Sequence, residues 1–134
     1  LISGVLLVLG GIAATVVWVR RKPTTTLELV AEDLVFRGKN PTLYAKPGGK
    51  VRLVFRNEAN GVVHQFSIDE LSVETAILQP GTVEEICFPV PAQERVFTYT
   101  CKLHPIMTGR FVLQQEPVEP IVSRNTSEEC RPPR

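Results

Sequence analysis

Lys50-Val-Arg-Leu-Val-Phe-Arg-Asn57 alternates apolar and charged side chains, with Val51, Leu53 and Phe55 on one side and Arg52 and Arg56 on the other. A period of two belongs to a β-strand with one face buried and one face wet. The same alternation recurs in Ile86, Phe88 and Val90, and again in Phe97, Tyr99 and Cys101. Further strands are predicted over 26–32, 34–37, 63–68 and 110–114. Turn signals stand between these runs, at Pro47-Gly48-Gly49, Asn60-Gly61 and Pro80-Gly81. No stretch of this region sustains a helical period. About seven or eight short strands in roughly 90 residues predict an all-β domain over 24–115, built as a β-sandwich of half-buried antiparallel sheets.

The flanks of this domain differ from it and from each other. Residues 1–19 carry no charged side chain. At about 1.5 Å per helical residue they reach roughly 28 Å, close to the hydrocarbon thickness of a bilayer. Trp18 stands near one end, and Arg20, Arg21 and Lys22 follow at once, which suits a headgroup boundary. No small-x-small cleavage site follows Thr15, so a removable signal segment fits less well. Residues 1–22 therefore predict one transmembrane α-helix that anchors the domain in a membrane. Gly4, Gly10, Gly11, Ala13 and Ala14 would let another helix approach it closely. Residues 116–134 hold four prolines and no alternation; they predict an extended tail. The sequon Asn125-Thr126-Ser127 is of a kind that arises often by chance.

Charge excludes one class of partner. Fifteen basic against fourteen acidic side chains leave a net +1, which gives no electrostatic footprint for a nucleic acid.

The chemistry is concentrated in Tyr99-Thr-Cys101-Lys-Leu-His104-Pro-Ile-Met107. Seven residues, 101 to 107, offer a thiolate, an imidazole and a thioether, in a chain with three cysteines, two histidines and one methionine. Coincidence would produce that grouping roughly 3 times in 10,000. Two imidazoles and a thiolate with a weak thioether make the donor set of a blue-copper electron-transfer site. The second imidazole has to be His64, where a loop passes into a strand. One ligand from a distant strand and three from a tight loop would fix the geometry through the fold.

Those residues carry a resemblance. Over roughly 26–115 the chain resembles the cupredoxin family, and its short Cys-x₂-His-x₂-Met loop is most similar to that of the amicyanins. The resemblance implies an eight-stranded Greek-key sandwich with one mononuclear type 1 copper at one end. It implies His64, Cys101, His104 and Met107 as the metal ligands, with Cys101 the charge-transfer ligand and Met107 the long axial one. His104 would pass the electron, and Leu103, Pro105 and Ile106 would form the apolar collar for a redox partner. Two positions depart from the family's common pattern. Gln65 stands where Asn or Asp often ties the first histidine's loop to the cysteine loop, and Lys102 stands where Ser or Thr is frequent.

Other metals fit less well. A binuclear copper centre needs two cysteines four apart, and the positions four away from Cys101 are Phe97 and Pro105. Structural zinc favours closed Cys/His sets without methionine. Cys87 reads as a small half-buried apolar residue, or alternatively as a disulfide partner of Cys130.

The expected function is a membrane-anchored blue-copper protein that shuttles single electrons between protein redox partners of a respiratory or photosynthetic chain. It would not be an enzyme and would take no small-molecule substrate. The alternative is a structural subunit of a larger membrane complex, such as a photosynthetic reaction centre or respiratory assembly, with copper absent or incidental. Arg20, Arg21 and Lys22 on the domain side favour a cytoplasmic domain, whereas the resemblance implies the periplasmic or extracytoplasmic face, which is the location expected here.

Overall fold

A computed structural model describes residues 22–115 in full and residues 2–8 and 15–20 as backbone. The first two elements are strands β1 (Ile2–Val8) and β2 (Thr15–Arg20), paired antiparallel with Val5 opposite Trp18 and Val8 opposite Thr15. The sequence predicted one helix here. Ile2, Val5 and Val8 in the first strand and Thr15, Val16, Val17 and Val19 in the second are β-branched, and such residues favour extended backbone over helix where no bilayer demands internal hydrogen bonding. No helix among the described residues is long and apolar enough to cross a membrane. The predicted tail, 116–134, lies outside the described residues.

The domain is made of β3 (Thr24–Glu32), β4 (Val35–Phe36), β5 (Leu43–Ala45), β6 (Lys50–Asn57), β7 (Ser67–Ile68), β8 (Val73–Glu74), β9 (Val83–Pro89), β10 (Arg95–Cys101) and β11 (His104–Leu113), with one 3-10 turn at Asp69–Leu71. One sheet has the order β4-β3-β6-β9 and the other β5-β11-β10-β7-β8. The chain crosses between the sheets at β4–β5, β5–β6, β6–β7, β8–β9 and β9–β10, while β3–β4, β7–β8 and β10–β11 stay within one layer. Two neighbouring pairs, β3 with β6 and β5 with β11, are consequently parallel, where the alternation alone suggested antiparallel sheets throughout. The three-residue β5 is too short to announce itself by alternation.

The inward faces are those the sequence marks. Val51, Leu53 and Phe55 from β6 join Leu27 and Leu29 from β3 and Phe97, Tyr99 and Phe111 from the opposite sheet in one buried core. Aromatic edges lock the layers together, Phe88 against Phe111 at 6.3 Å and Phe36 against Tyr99 at 5.3 Å between ring centroids. Tyr99 donates its hydroxyl hydrogen to the carbonyl of Pro41 and lies across Gly109, its partner on β11. A Cβ at position 109 would run into the Tyr99 ring, so glycine is required there by close packing rather than by a turn.

Candidate metal centre

The hairpin between β10 and β11 brings two of the predicted ligands together. Thr100 pairs with Thr108, yet the next residue, Cys101, pairs with His104 instead of Met107, three positions short. Pro105, Ile106 and Met107 are the residues left over, and they bulge from the ladder. Lys102 and Leu103 make the turn that sets Cys101 opposite His104. Cys101 and Met107 are fully buried, His104 is half-buried, and Leu103, Pro105 and Ile106 are exposed around it. Thr100 donates its hydroxyl hydrogen to the carbonyl of Met107 at 3.1 Å, which secures the inner side of the bulge.

His64 arrives by a different route. A strand was predicted over 63–68, but only Ser67–Ile68 pairs as one; His64 makes an isolated bridge with Leu78, with bonds of 3.1 and 2.7 Å. The loop leading to it is shaped by Asn57, whose buried amide donates to the carbonyls of Val62 (2.8 Å) and Leu78 (2.9 Å) and accepts from the amide of Ala59 (2.9 Å). Thr75, also buried, accepts from the amide of Phe66 at 3.0 Å. Neither Asn57 nor Thr75 was singled out from the sequence. The only signal at Asn57 is a polar residue that continues the inward-facing phase of β6.

The side chains converge. Cys101 Sγ lies 3.8 Å from His64 Nδ1 and 3.6 Å from His104 Nδ1, and the three donor atoms all fall within 4.8 Å of one another. The two imidazole rings are 5.0 Å apart at 60°. The spacing tests whether a metal fits. With metal–nitrogen bonds of about 2.0 to 2.1 Å and a metal–sulfur bond of about 2.3 Å, trigonal or tetrahedral angles put nitrogen and sulfur about 3.5 to 3.8 Å apart. The observed separations agree with that. The backbone amide of Gln65 donates to Cys101 Sγ at 3.4 Å, a bond that supports a thiolate.

Electrostatics point the same way. Burial, and then the neighbouring His104, hold His64 below the usual imidazole range, against an opposing pull from the backbone and charge of Asp33. That direction favours the neutral imidazole, the form a metal ligand takes. Among the described residues this is the site where three such donors cluster. Cys101 is free, whereas Cys87 is disulfide-bonded. That corrects the simpler reading of Cys87 as an apolar filler. Its half-buried place on the edge strand β9 leaves the sulfur accessible to a second thiol.

No family model matches the sequence, and no curated protein matches it. Solved structures do match. Auracyanin from the photosynthetic bacterium Roseiflexus castenholzii superposes with a TM-score of 0.57 at 19% identity, over 67% of this chain and 97% of that one. The fold is the cupredoxin fold. Auracyanin B gives 0.58 at 23% identity over 72% and 93%, and auracyanin A, a "blue" copper protein from Chloroflexus aurantiacus, gives 0.57 at 18% over 68% and 99%. The Greek-key sandwich expected from the resemblance is therefore present, with nine strands in place of the expected eight, and in it His64, Cys101 and His104 come together while Met107 lies buried in the same hairpin, a set of type 1 copper composition.

Proposed function

We propose that this chain is a blue-copper electron carrier, holding one mononuclear copper between His64, Cys101 and His104, with Met107 as the weak axial ligand. The observation that carries the reading is the convergence of two imidazole nitrogens on one buried thiol sulfur at metal-bridging distances. Copper in such a set supplies a one-electron couple. The protein's part is to keep the ligands still. His64 is pinned by the Leu78 bridge and Cys101 by the ladder and the Gln65 amide, so little has to move when charge changes. His104, half-buried in a collar of Leu103, Pro105 and Ile106, is the ligand suited to meeting a partner. Ile106 is 75% exposed, and a small apolar surface of this kind favours brief docking with a protein redox partner over permanent assembly.

The uncharged run 1–19 supports attachment to a membrane; the extracytoplasmic face for the β-domain follows from the cupredoxin resemblance, against the pull of Arg20, Arg21 and Lys22. In hydrocarbon an open hairpin would leave backbone groups unpaired, so an inserted segment would have to be helical. Tethering raises the concentration of the domain near membrane-bound donors and acceptors.

The test is to load the full chain with Cu(II). An intense thiolate-to-copper band at about 600 nm is expected. A colourless chain that retains no copper rejects the reading.

A further inference from the structure

Two arms carry the ligands, and something must hold them at fixed separation. One arm is the segment 64–78, which starts at His64, runs through β7, the 3-10 turn and β8, and returns to Leu78. The other is the turn between Cys101 and His104. Gln65, adjacent to His64, does not reach across with its side chain; its Nε2 donates to the carbonyl of Thr75 at 3.0 Å, within its own arm. The sheet joins the arms at one place, where Ser67 of β7 pairs with Thr100 of β10, and two longer contacts lie beside it, Gln65 N–H to Cys101 Sγ and Ser67 Oγ to the carbonyl of Thr100, both 3.4 Å. Shorter ones come from Lys102, at the apex of the other arm. Its Nζ lies 2.8 Å from Glu74 Oε2 on β8 and 3.1 Å from Asp69 Oδ1 in the 3-10 turn.

We propose that Lys102 is a positioning residue: bound to Asp69 and Glu74, it clamps the turn bearing Cys101 and His104 onto the arm that begins at His64, and so preserves the spacing of the copper donors. The inference rests on the copper reading of the site. An isolated exposed ion pair is worth little. This one is different in kind, because one ammonium bridges two carboxylates from separate elements and sits next in sequence to a ligand. It is also exposed, so the clamp loosens as salt screens it.

Clamping and bare charge make opposite predictions. If Lys102 acted only as a nearby positive charge, removing it would tighten the hold on a copper cation, and neutralising Asp69 and Glu74 would loosen it. A clamp fails whichever half is removed. The experiment measures copper release from the full chain to a Cu(I) chelator, for wild type, Lys102→Gln, Lys102→Arg and the double variant Asp69→Asn with Glu74→Gln. At low salt, release is expected to quicken about fivefold both in Lys102→Gln and in the double variant, while Lys102→Arg stays close to wild type. In 1 M NaCl wild type should approach the variants. Unchanged release, or effects of opposite sign for the cation and the carboxylates, overturns the clamp. Hydrogen exchange on the copper-free chain separates this from failure of the copper reading: faster exchange at Leu103 and His104 in Lys102→Gln supports the clamp even if no copper binds, and unchanged exchange counts against it.

Discussion

The two arms of the metal centre are built on different principles. The Cys101–Met107 arm is local: a hairpin turn and a three-residue bulge place its ligands, and the relevant residues are consecutive in the chain. The His64 arm is non-local. Its position depends on Asn57 seven residues before it and on Leu78 fourteen after it, held by buried polar bonds rather than by a regular ladder. The difference teaches that a short motif can advertise a metal site while the residues that complete it stay inconspicuous.

The comparison can be broken from either side, and the local arm gives the largest effect. Cys101→Ser removes the one thiolate and should abolish the band at about 600 nm altogether, read by absorbance after copper loading. On the other arm, Asn57→Ala strands the amide of Ala59 and the part-buried carbonyl of Val62, leaves the Leu78 carbonyl only its bond from His64, and should cost about 2 kcal/mol in chemical denaturation of the copper-free chain. Gly109→Ala tests whether the bulge depends on the packing beneath it. Overpacking against Tyr99 should cost about 2 kcal/mol, again by denaturation. A loss near zero would mean that Tyr99 moves aside freely.

The smallest effect is on pH. His64 in the folded chain titrates below its unfolded value, so below about pH 6.5 the unfolded chain binds more protons than the folded one. Stability of the copper-free chain should then fall as pH drops through that range, by less than the one-proton limit of about 1.4 kcal/mol per pH unit. Denaturation midpoints between pH 8 and 5 measure it, and His64→Gln should flatten the slope.

Much of this was legible in the sequence, unevenly so. Alternation gave β6, β9 and β10 to within a few residues, because one face of each strand is buried and the other wet. The triplet Cys101, His104, Met107 stood out because such residues are scarce here. The strand assigned around His64 was overextended. Val63 to Phe66 has the right residue types, but its backbone bonds go to Leu78 and Thr75 instead of to a continuous neighbour. The parallel pairs were invisible, since apolar period reports which face is buried and not which strand lies alongside. Residues 1–19 show the limit of composition most plainly. The same apolar, β-branched run satisfies the length rule for a spanning helix and the propensity rule for a hairpin, and the solvent decides between them. Gln65 and Lys102 were visible as departures, but nothing in the sequence shows that the lysine reaches Asp69 and Glu74 while the glutamine side chain stays within its own arm.

The most direct test is anomalous scattering at the copper edge from crystals of the copper-loaded full chain. A single peak per domain, bounded by His64 Nδ1, Cys101 Sγ and His104 Nδ1 with the Met107 sulfur on the fourth side, is the expected result. A peak elsewhere, or none while those three side chains stay in place, would contradict the assignment.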